Sequence, residues 1–271
     1  GIRFVGANLI VRNCRFIDNE NGILAGRTKK NKGESEIVIE DSLVERIGHS
    51  SGRAHGIYVG NIARLTIRGS VFSQTHMGHH IKTRARESLI MFNRIEDGEA
   101  GDSSYLVDFA QGGRAFLVGN ELQQGPNARN VGMVSFGAEK NPHTENVFFV
   151  VNNTFVTDRA NSVFLKIRHA ASSMAIVNNI FAGTGELGAE EISVTDNLIV
   201  SSPADSPFVS WEERDFSLAA SASAIDAGRV VSDYEGVSLT PALEVQRVRG
   251  TAPRPKAGPI DIGAFEYRGA N

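Results

Sequence analysis

The hexapeptide VVNNTF at residues 150–155 begins with an aliphatic residue, has a small polar fourth residue and ends on a bulky apolar residue. Seven further segments share this pattern, and successive copies are 18 to 33 residues apart. Self-similarity at such a spacing is typical of a repeat protein whose loops differ in length. The other copies are VRNCRF (11–16), IEDSLV (39–44), IRGSVF (67–72), IMFNRI (90–95), LVGNEL (117–122), IVNNIF (176–181) and VTDNLI (194–199).

The chemistry of these copies favours stacked strands over helical repeats. They are short, β-branched and rich in Gly and Asn, whereas helices need a period of about 3.6 residues over a longer stretch. Strands of a coiled sheet stack like residues about 4.7 to 4.9 Å apart, so the apolar columns Val11 to Val194 and Phe16 to Ile199 predict a continuous core. The small polar column predicts an asparagine ladder at a bend. Its members are Cys14, Ser42, Ser70, Asn93, Asn120, Asn153, Asn179 and Asn197.

A second apolar segment follows most copies, and its residues alternate between inward and outward positions, as in a strand. These segments are GILAG (22–26), GIYVG (56–60), HHIKTRA (79–85), YLVDFA (105–110), GMVSFGA (132–138) and VFLKIRHA (163–170). Two or three strands per repeat predict an all-β protein, a right-handed parallel β-helix with about eight turns over residues 1–202. Over roughly residues 1–200 the chain resembles the pectate-lyase-like superfamily of β-helix proteins.

Composition and chain ends add further expectations. A hydrophobic content of 41% with 28 glycines suits one folded solenoid with many turns. The single cysteine, Cys14, permits no internal disulfide, and its place in the polar column predicts a small buried side chain. No apolar run is long enough to predict a membrane span. Residues 1–4 (GIRF) match the second strand of a turn, so we expect upstream turns and any targeting segment to be missing.

The repeat stops near Pro203, where Pro and Ser become more frequent. The phrases SAIDAG (223–228) and DIGAFEY (261–267) resemble the closing segment of secreted bacterial β-helix proteins. We expect residues 203–271 to form a C-terminal cap, with a strand that includes Ile262, Ala264 and Phe265 over the last turn. The resemblance implies secretion or periplasmic export.

Positive charge is concentrated between residues 46 and 86, where the chain has no Asp or Glu although its net charge is −3. Such a stretch predicts a surface for an anionic partner, and both nucleic acid and acidic polysaccharide meet that description. With the β-helix resemblance we expect an acidic polysaccharide and no nucleic acid. The residues concerned are Arg46, His49, Arg53, His55, Arg64, Arg68, His76, His79, His80, Lys82, Arg84 and Arg86.

Stacking HGIYVG on HHIKTR pairs His55 with His79 and Tyr58 with Lys82. The following turns add Asp108, Ser135 and Lys166 to the same outward column. We therefore predict a substrate-binding face on one sheet, to which these side chains contribute: His55, Arg86, Asp108, Arg53 and Lys166.

The predicted reaction is β-elimination on a uronate chain, or C5 epimerisation, which shares its first proton abstraction. A cation must neutralise the uronate carboxylate, a base removes the C5 proton, and an acid assists the leaving oxygen. We expect neutralisation by Arg84 or Arg86, proton abstraction by Lys82 or His79, and proton donation by Tyr58 or His80. Crowding by Arg84 and the histidines would lower the pKa of Lys82, while Asp108 would oppose that shift.

The segment IKTRA (81–85) resembles the strand that carries the catalytic lysine of alginate and chondroitin lyases of β-helix type. That resemblance implies an arginine one turn later, where this chain has Asp108. Two alternatives stay open: a non-catalytic module that binds polysaccharide or a cell surface, and a glycoside hydrolase, which needs two carboxylates about 5 to 9.5 Å apart. We expect no cofactor and no metal, calcium being the one alternative, at the acidic loop with Glu96, Asp97, Glu99 and Asp102.

Overall fold

The computed structural model of the chain describes residues 1–26, 34–140, 143–188, 196–256 and 258–269. Within these ranges the chain coils through a repeating cycle of three short strands, and every third strand joins the same parallel sheet. The protein is therefore all-β, a parallel β-solenoid, as the repeats predict. The right-handed sense of the coil and its eight turns stay predictions.

Three parallel sheets form the walls of the solenoid, with strands numbered in chain order. Sheet 1 contains β1 (Ile2–Phe4), β4 (Ile23–Ala25), β7 (Ile57–Val59), β10 (Ile81–Thr83), β13 (Val107–Phe109), β16 (Gly132–Phe136), β19 (Ser162–Ile167) and β22 (Gly185–Glu186). Sheet 2 contains β2 (Asn8–Arg12), β5 (Glu36–Glu40), β8 (Arg64–Arg68), β11 (Glu87–Met91), β14 (Arg114–Val118), β17 (Val147–Val151) and β20 (Ser173–Val177). Sheet 3 contains β3 (Arg15–Ile17), β6 (Leu43–Glu45), β9 (Val71–Ser73), β12 (Arg94–Glu96), β15 (Glu121–Gln124), β18 (Thr154–Thr157), β21 (Ile180–Ala182) and β23 (Leu198–Val200).

The first seven copies of the hexapeptide span the bend from sheet 2 to sheet 3, and their predicted stacking is confirmed by the strand registers. Ile176 of β20 pairs with Val150, and Phe181 of β21 pairs with Phe155. The two Phe rings stack with centroids 4.9 Å apart in the interior. The last members of the two apolar columns are Val194 and Ile199. Ile199 is 40% exposed, and Val194 lies outside the described residues.

The asparagine ladder is confirmed at this bend. Asn153 donates from Nδ2 to the Leu117 carbonyl at 2.8 Å and to Asn179 Oδ1 at 2.9 Å, while its own Oδ1 accepts from Asn120. The residue that precedes a ladder position has a positive φ in turn after turn, for example 64° at Gly119 and 57° at Asn178. Glycine and asparagine adopt this conformation at low cost, which explains Gly69, Gly119, Asn152 and Asn178 at this place in the repeat.

The prediction of a buried Cys14 is wrong, because this side chain is exposed. Its backbone N–H donates to Ser42 Oγ at 3.1 Å, so Cys14 does occupy the first position of the ladder. Burial of the later ladder residues comes from neighbours on both sides. Among the described residues Cys14 has a neighbouring turn on one side only.

The C-terminal segment, residues 203–269, packs along the outer faces of sheets 2 and 3. It contains a 3₁₀ helix (Pro203–Asp205) and two antiparallel hairpins, β24 (Phe208–Ser210) with β25 (Asp215–Leu218) and β26 (Leu243–Val245) with β27 (Thr251–Pro253). Phe208 and Phe216 bury the outward side chains of Val156 and Ile180 in sheet 3. Leu239 covers Phe116 and Phe149, which lie on sheet 2.

The predicted strand over the last turn is wrong. Residues 261–265 form no strand, and the Gly263 N–H donates to the Asn178 carbonyl at 2.8 Å while the Ala264 N–H donates to Thr154 Oγ1 at 3.0 Å. These residues therefore follow the outside of the bend between sheets 2 and 3. The physical reason is that the outer faces of these sheets are themselves apolar, and the segment buries them. Its role as a cap stays a prediction.

Candidate functional site

The outward face of sheet 1 carries the predicted column of polar residues. Tyr58 of β7, Lys82 of β10 and Asp108 of β13 are register partners, and Ser135 and Lys166 continue the column. Their strand neighbours point into the core, where they are buried. We name the surrounding group of side chains the polar cluster: His55, Tyr58, His79, Lys82, Arg84, Tyr105, Asp108 and Glu139.

Two cations and two carboxylates lie at the centre of the polar cluster. Lys82 Nζ is 2.7 Å from Asp108 Oδ2 and 3.0 Å from Glu139 Oε1. Arg84 grips Glu139 with two hydrogen bonds of 2.6 Å, donates a third to the phenol oxygen of Tyr58, and lies over the Tyr58 ring at 5.0 Å. The four charges cancel, so the centre of the cluster has no net charge.

The expectation of a lowered pKa at Lys82 is wrong. Burial alone would lower this pKa, but the Asp108 and Glu139 carboxylates outweigh it and raise the pKa above the ordinary value. Lys82 is therefore an ammonium group at neutral pH. An ammonium group has no lone pair to accept a proton, and the role of Lys82 as a base stays a prediction.

The backbone of the following turn fixes the protonation state of His55 and His79. His55 Nδ1 accepts the His79 N–H at 3.0 Å, and His79 Nδ1 accepts the Tyr105 N–H at 3.2 Å. Each imidazole therefore carries its proton on Nε2. Burial, followed by the charges of neighbouring groups, lowers the pKa of both histidines to about 3. The one lone pair of His79 already accepts the Tyr105 N–H, and the role of His79 as a base stays a prediction.

His80 precedes β10 and is fully buried, whereas His79 contributes to the polar cluster. The ring nitrogens of His80 bond Thr75 Oγ1 at 2.8 Å and Asp97 Oδ1 at 2.9 Å. His80 and Ile81 are both buried, so the alternation of the strand does not extend back to the two histidines. A substrate on the surface cannot reach His80, so its predicted role as the acid is wrong.

The remaining predicted residues differ in their relation to the polar cluster. Arg86 pairs with Glu34 at 3.0 Å and lines a separate cleft of about 310 Å³. Arg53 is exposed, and among the described residues no contact joins its side chain to the cluster. Lys166 extends over Gly132, where a Cβ atom would come within 2.4 Å of Lys166 Cδ. Glycine at this position thus leaves room for the Lys166 chain beside the cluster.

Carboxylates from other segments neutralise most of the cations between residues 46 and 86, and an anionic partner for this surface stays a prediction. Arg46 pairs with Asp18 at 2.7 Å, and Arg64 pairs with Glu87 at 2.5 Å. The other pairs are Arg68 with Glu40, His76 with Asp102, Arg86 with Glu34, and Lys82 and Arg84 with Glu139. Residues 46–86 contain no acidic residue, but stacking of the turns places acidic residues of adjacent turns beside them.

The acidic loop uses most of its carboxylates in the fold itself. Asp97 is buried and bonds His80 and the Gly125 N–H, and Asp102 bonds His76 and Arg129. Glu96 pairs with Arg94 at 3.0 Å. Over the described ranges, no group of three or more His, Cys, Asp or Glu side chains is arranged to hold a metal ion.

Sequence reasoning missed Glu139 and Tyr105. Glu139 lies on the variable loop between β16 and β17, where no repeat position assigns it to a face, so the sequence carried no signal for it. Tyr105 is the first residue of the phrase YLVDFA, and its ring lies 5.3 Å from that of His79, the first residue of HHIKTRA. Stacking the first residues of these two phrases would have found it.

A larger cleft of about 600 Å³, lined by Arg94, Glu121, Arg214 and Asp215 among others, separates sheet 3 from the C-terminal segment. Burial raises the pKa of Glu121 to about 7, against the opposing effect of Arg94. Glu121 Oε1 and Arg214 Nε are buried without a hydrogen bond, and Glu121 Oε1 lies 3.0 Å from Arg94 Nε in an ion pair. Sequence reasoning missed this cleft, because its second wall comes from outside the repeats.

Comparison with protein-family models, with curated proteins and with solved structures gives no match to this chain. The resemblance to pectate-lyase-like proteins therefore stays a prediction from the repeats. No helix in the described part of the chain is long and apolar enough to cross a membrane.

Proposed function

We propose that the polar cluster on sheet 1 binds an acidic, uronate-containing polysaccharide. One observation carries the proposal. Two partly exposed rings, Tyr58 and Tyr105, flank Lys82 and Arg84, and Arg84 already binds the Glu139 carboxylate with two parallel hydrogen bonds. Aromatic faces suit sugar rings, and a paired Arg and Lys suit a uronate carboxylate. A polysaccharide partner also fits the export that the C-terminal phrases imply.

The geometry supports binding over elimination. Elimination needs a proton acceptor beside the neutralised carboxylate. Within the polar cluster Lys82 is charged, and His55 and His79 carry their protons on Nε2, where they can only donate. These three side chains are preorganised donors, which is what recognition of hydroxyl and carboxylate oxygens requires.

Elimination or epimerisation is the second candidate, and one contact favours it. The Tyr58 phenol oxygen accepts a hydrogen bond from the Arg84 guanidinium. A phenol can exchange a proton with a substrate, and Arg84 would then serve both the phenol and the uronate carboxylate. Tyr58 is the group that such a reaction would use.

Hydrolysis has less support from the same groups. Asp108 Oδ2 and Glu139 Oε1 both contact Lys82 Nζ, at 2.7 and 3.0 Å, so they lie close enough for a retaining pair. A hydrolase also needs one of its carboxyls protonated. The hydrogen bond from Arg84 lowers the pKa of Glu139 to about 2, despite partial burial, so Glu139 is ionised at neutral pH.

The test measures affinity for a panel of uronate polysaccharides and neutral glucans, together with the ultraviolet absorbance of unsaturated uronates. We expect binding to uronate polymers without new absorbance, and a loss of about tenfold or more in Tyr58→Ala, since a central aromatic side chain carries much of the binding energy. Tyr267→Ala, which alters the cleft beside sheet 3, is the matched control and should bind like the wild type.

Two outcomes would change this account. Absorbance that grows with time and disappears in Tyr58→Phe would replace binding with elimination. Equal affinity of Tyr58→Ala and wild type, with both folded, would remove the polar cluster as the binding site.

A further inference from the structure

The Glu139 carboxylate occupies the position on sheet 1 where a bound uronate would be neutralised. It accepts hydrogen bonds from Arg84 Nε and Nη2, both at 2.6 Å, and contacts Lys82 at 3.0 Å. Parallel hydrogen bonds from one guanidinium are the preferred way for arginine to hold a carboxylate. The protein thus already contains an anion in this position, supplied by its own chain.

Glu139 is also the most exposed member of the charged group. Its side chain is 32% exposed, compared with 17% for Arg84, 12% for Lys82 and 4% for Asp108. The Glu139 backbone N–H donates to the Ala110 carbonyl at 2.8 Å, which ties the loop to the edge of sheet 1. Release of the carboxylate therefore requires a change of side-chain rotamer and no movement of the loop backbone.

The charges define what could replace this carboxylate. When Glu139 turns away, Lys82 keeps the buried Asp108 as its partner at 2.7 Å, whereas Arg84 keeps only the Tyr58 phenol oxygen. One uncompensated positive charge then remains at Arg84. A group with a single negative charge and two equivalent oxygens restores both the charge balance and the two hydrogen bonds, which describes a carboxylate.

We infer that Arg84 is the subsite for a carboxylate of the ligand and that Glu139 is its intramolecular competitor, an inference that rests on the proposed polysaccharide binding. A ligand carboxylate must displace Glu139. The wild-type protein therefore binds acidic chains more weakly than a protein in which Glu139 does not occupy the subsite. Neutral sugars have no carboxylate to bind Arg84, so Glu139 does not compete with them.

The test compares wild type with Glu139→Gln in titrations with a defined uronate oligosaccharide and with the same oligosaccharide after reduction of its carboxyl groups. If the empty subsite is a minor population in the wild type, we expect Glu139→Gln to bind the carboxylated form about tenfold more tightly. Affinity for the reduced form should not change. Glu145→Gln is the matched control, because Glu145 belongs to the same loop but pairs with Arg114.

The outcomes separate this inference from the proposed function. Wild-type binding that Glu139→Gln leaves unchanged or weakens would overturn the inference and leave the proposed function standing. Equal strengthening for both forms of the oligosaccharide would also overturn it. Failure of both proteins to bind either form, with thermal unfolding showing that both are folded, would overturn the two together.

Discussion

At the scale of single residues, the backbone of one turn sets the tautomer of a histidine in the preceding turn. His55 and His79 each accept a backbone N–H from the following turn, and their rings stack with centroids 4.8 Å apart. An imidazole that must accept at Nδ1 has its proton on Nε2, whatever its distance from a substrate. These histidines are therefore uncharged donors of the binding face.

This arrangement predicts a pH dependence with a definite sign. The pKa of both histidines is about 3 in the folded protein, whereas an unfolded histidine titrates near 6.5. Between these values the unfolded chain binds more protons, so stability is complete above about pH 6.5 and falls as the pH decreases through this range. The double variant His55→Gln, His79→Gln should lose less stability between pH 7 and 5 in urea unfolding.

Nitrogen chemical shifts of the imidazoles check the same point in the folded state. We expect both rings to keep the Nε2–H tautomer from pH 8 to 5. Titration of either ring near its unfolded value would show that the backbone contacts to Nδ1 do not persist in solution.

At the scale of elements, the ladder at the bend between sheets 2 and 3 joins successive turns. Asn120 is fully buried, and its Nδ2 donates to the Ile90 carbonyl at 2.8 Å and to Asn153 Oδ1 at 2.9 Å. Its Oδ1 accepts the Asn93 N–H at 2.9 Å. No water can replace these partners in the interior, so the amide is needed to satisfy them.

Asn120→Ala should therefore cost about 3 kcal/mol of unfolding free energy, since it leaves several buried polar groups unpaired. Urea unfolding monitored by circular dichroism measures this loss. Asn127→Ala removes an exposed amide that bonds the Glu99 carbonyl and should change stability by about 0.5 kcal/mol or less. Similar losses in the two variants would show that the ladder is not the source of the stability.

The elements that could be predicted from the sequence are those that repeat. Stacking HGIYVG on HHIKTR gives the correct partners, Tyr58 with Lys82, because equivalent strands of a solenoid keep one register. Glu139 could not be placed in this way, since its loop has no equivalent in the other turns. The burial of His80 could not be predicted either, because strand alternation from Ile81 would place it outward beside Lys82, whereas the residues before β10 do not continue the alternation of the strand.

At the scale of the whole molecule, the distribution of charge along the chain did not predict the distribution in space. Residues 46–86 contain no acid, yet Asp18, Glu40, Glu87 and Glu139 bring carboxylates to them from neighbouring turns. Ion pairs between turns depend on loop lengths, which vary along this chain. The neutral centre of the polar cluster is one consequence, and it makes Glu139 part of the proposed binding face.

The C-terminal segment gives the molecule two different sides. It covers the outer faces of sheets 2 and 3, whereas the tyrosines of sheet 1 stay partly exposed. The proposed sugar chain would therefore follow sheet 1 and not the covered sheets. The cleft beside Glu121 lies on the covered side and provides a clear alternative location for a ligand.

A crystal structure of the protein with the uronate oligosaccharide that binds best tests the central claim most directly. We predict that the oligosaccharide lies across β7, β10 and β13 on sheet 1, with one carboxylate on Arg84, sugar rings against Tyr58 or Tyr105, and the Glu139 side chain turned away. An oligosaccharide bound in the cleft beside Glu121, or ordered anywhere away from sheet 1, would contradict the account.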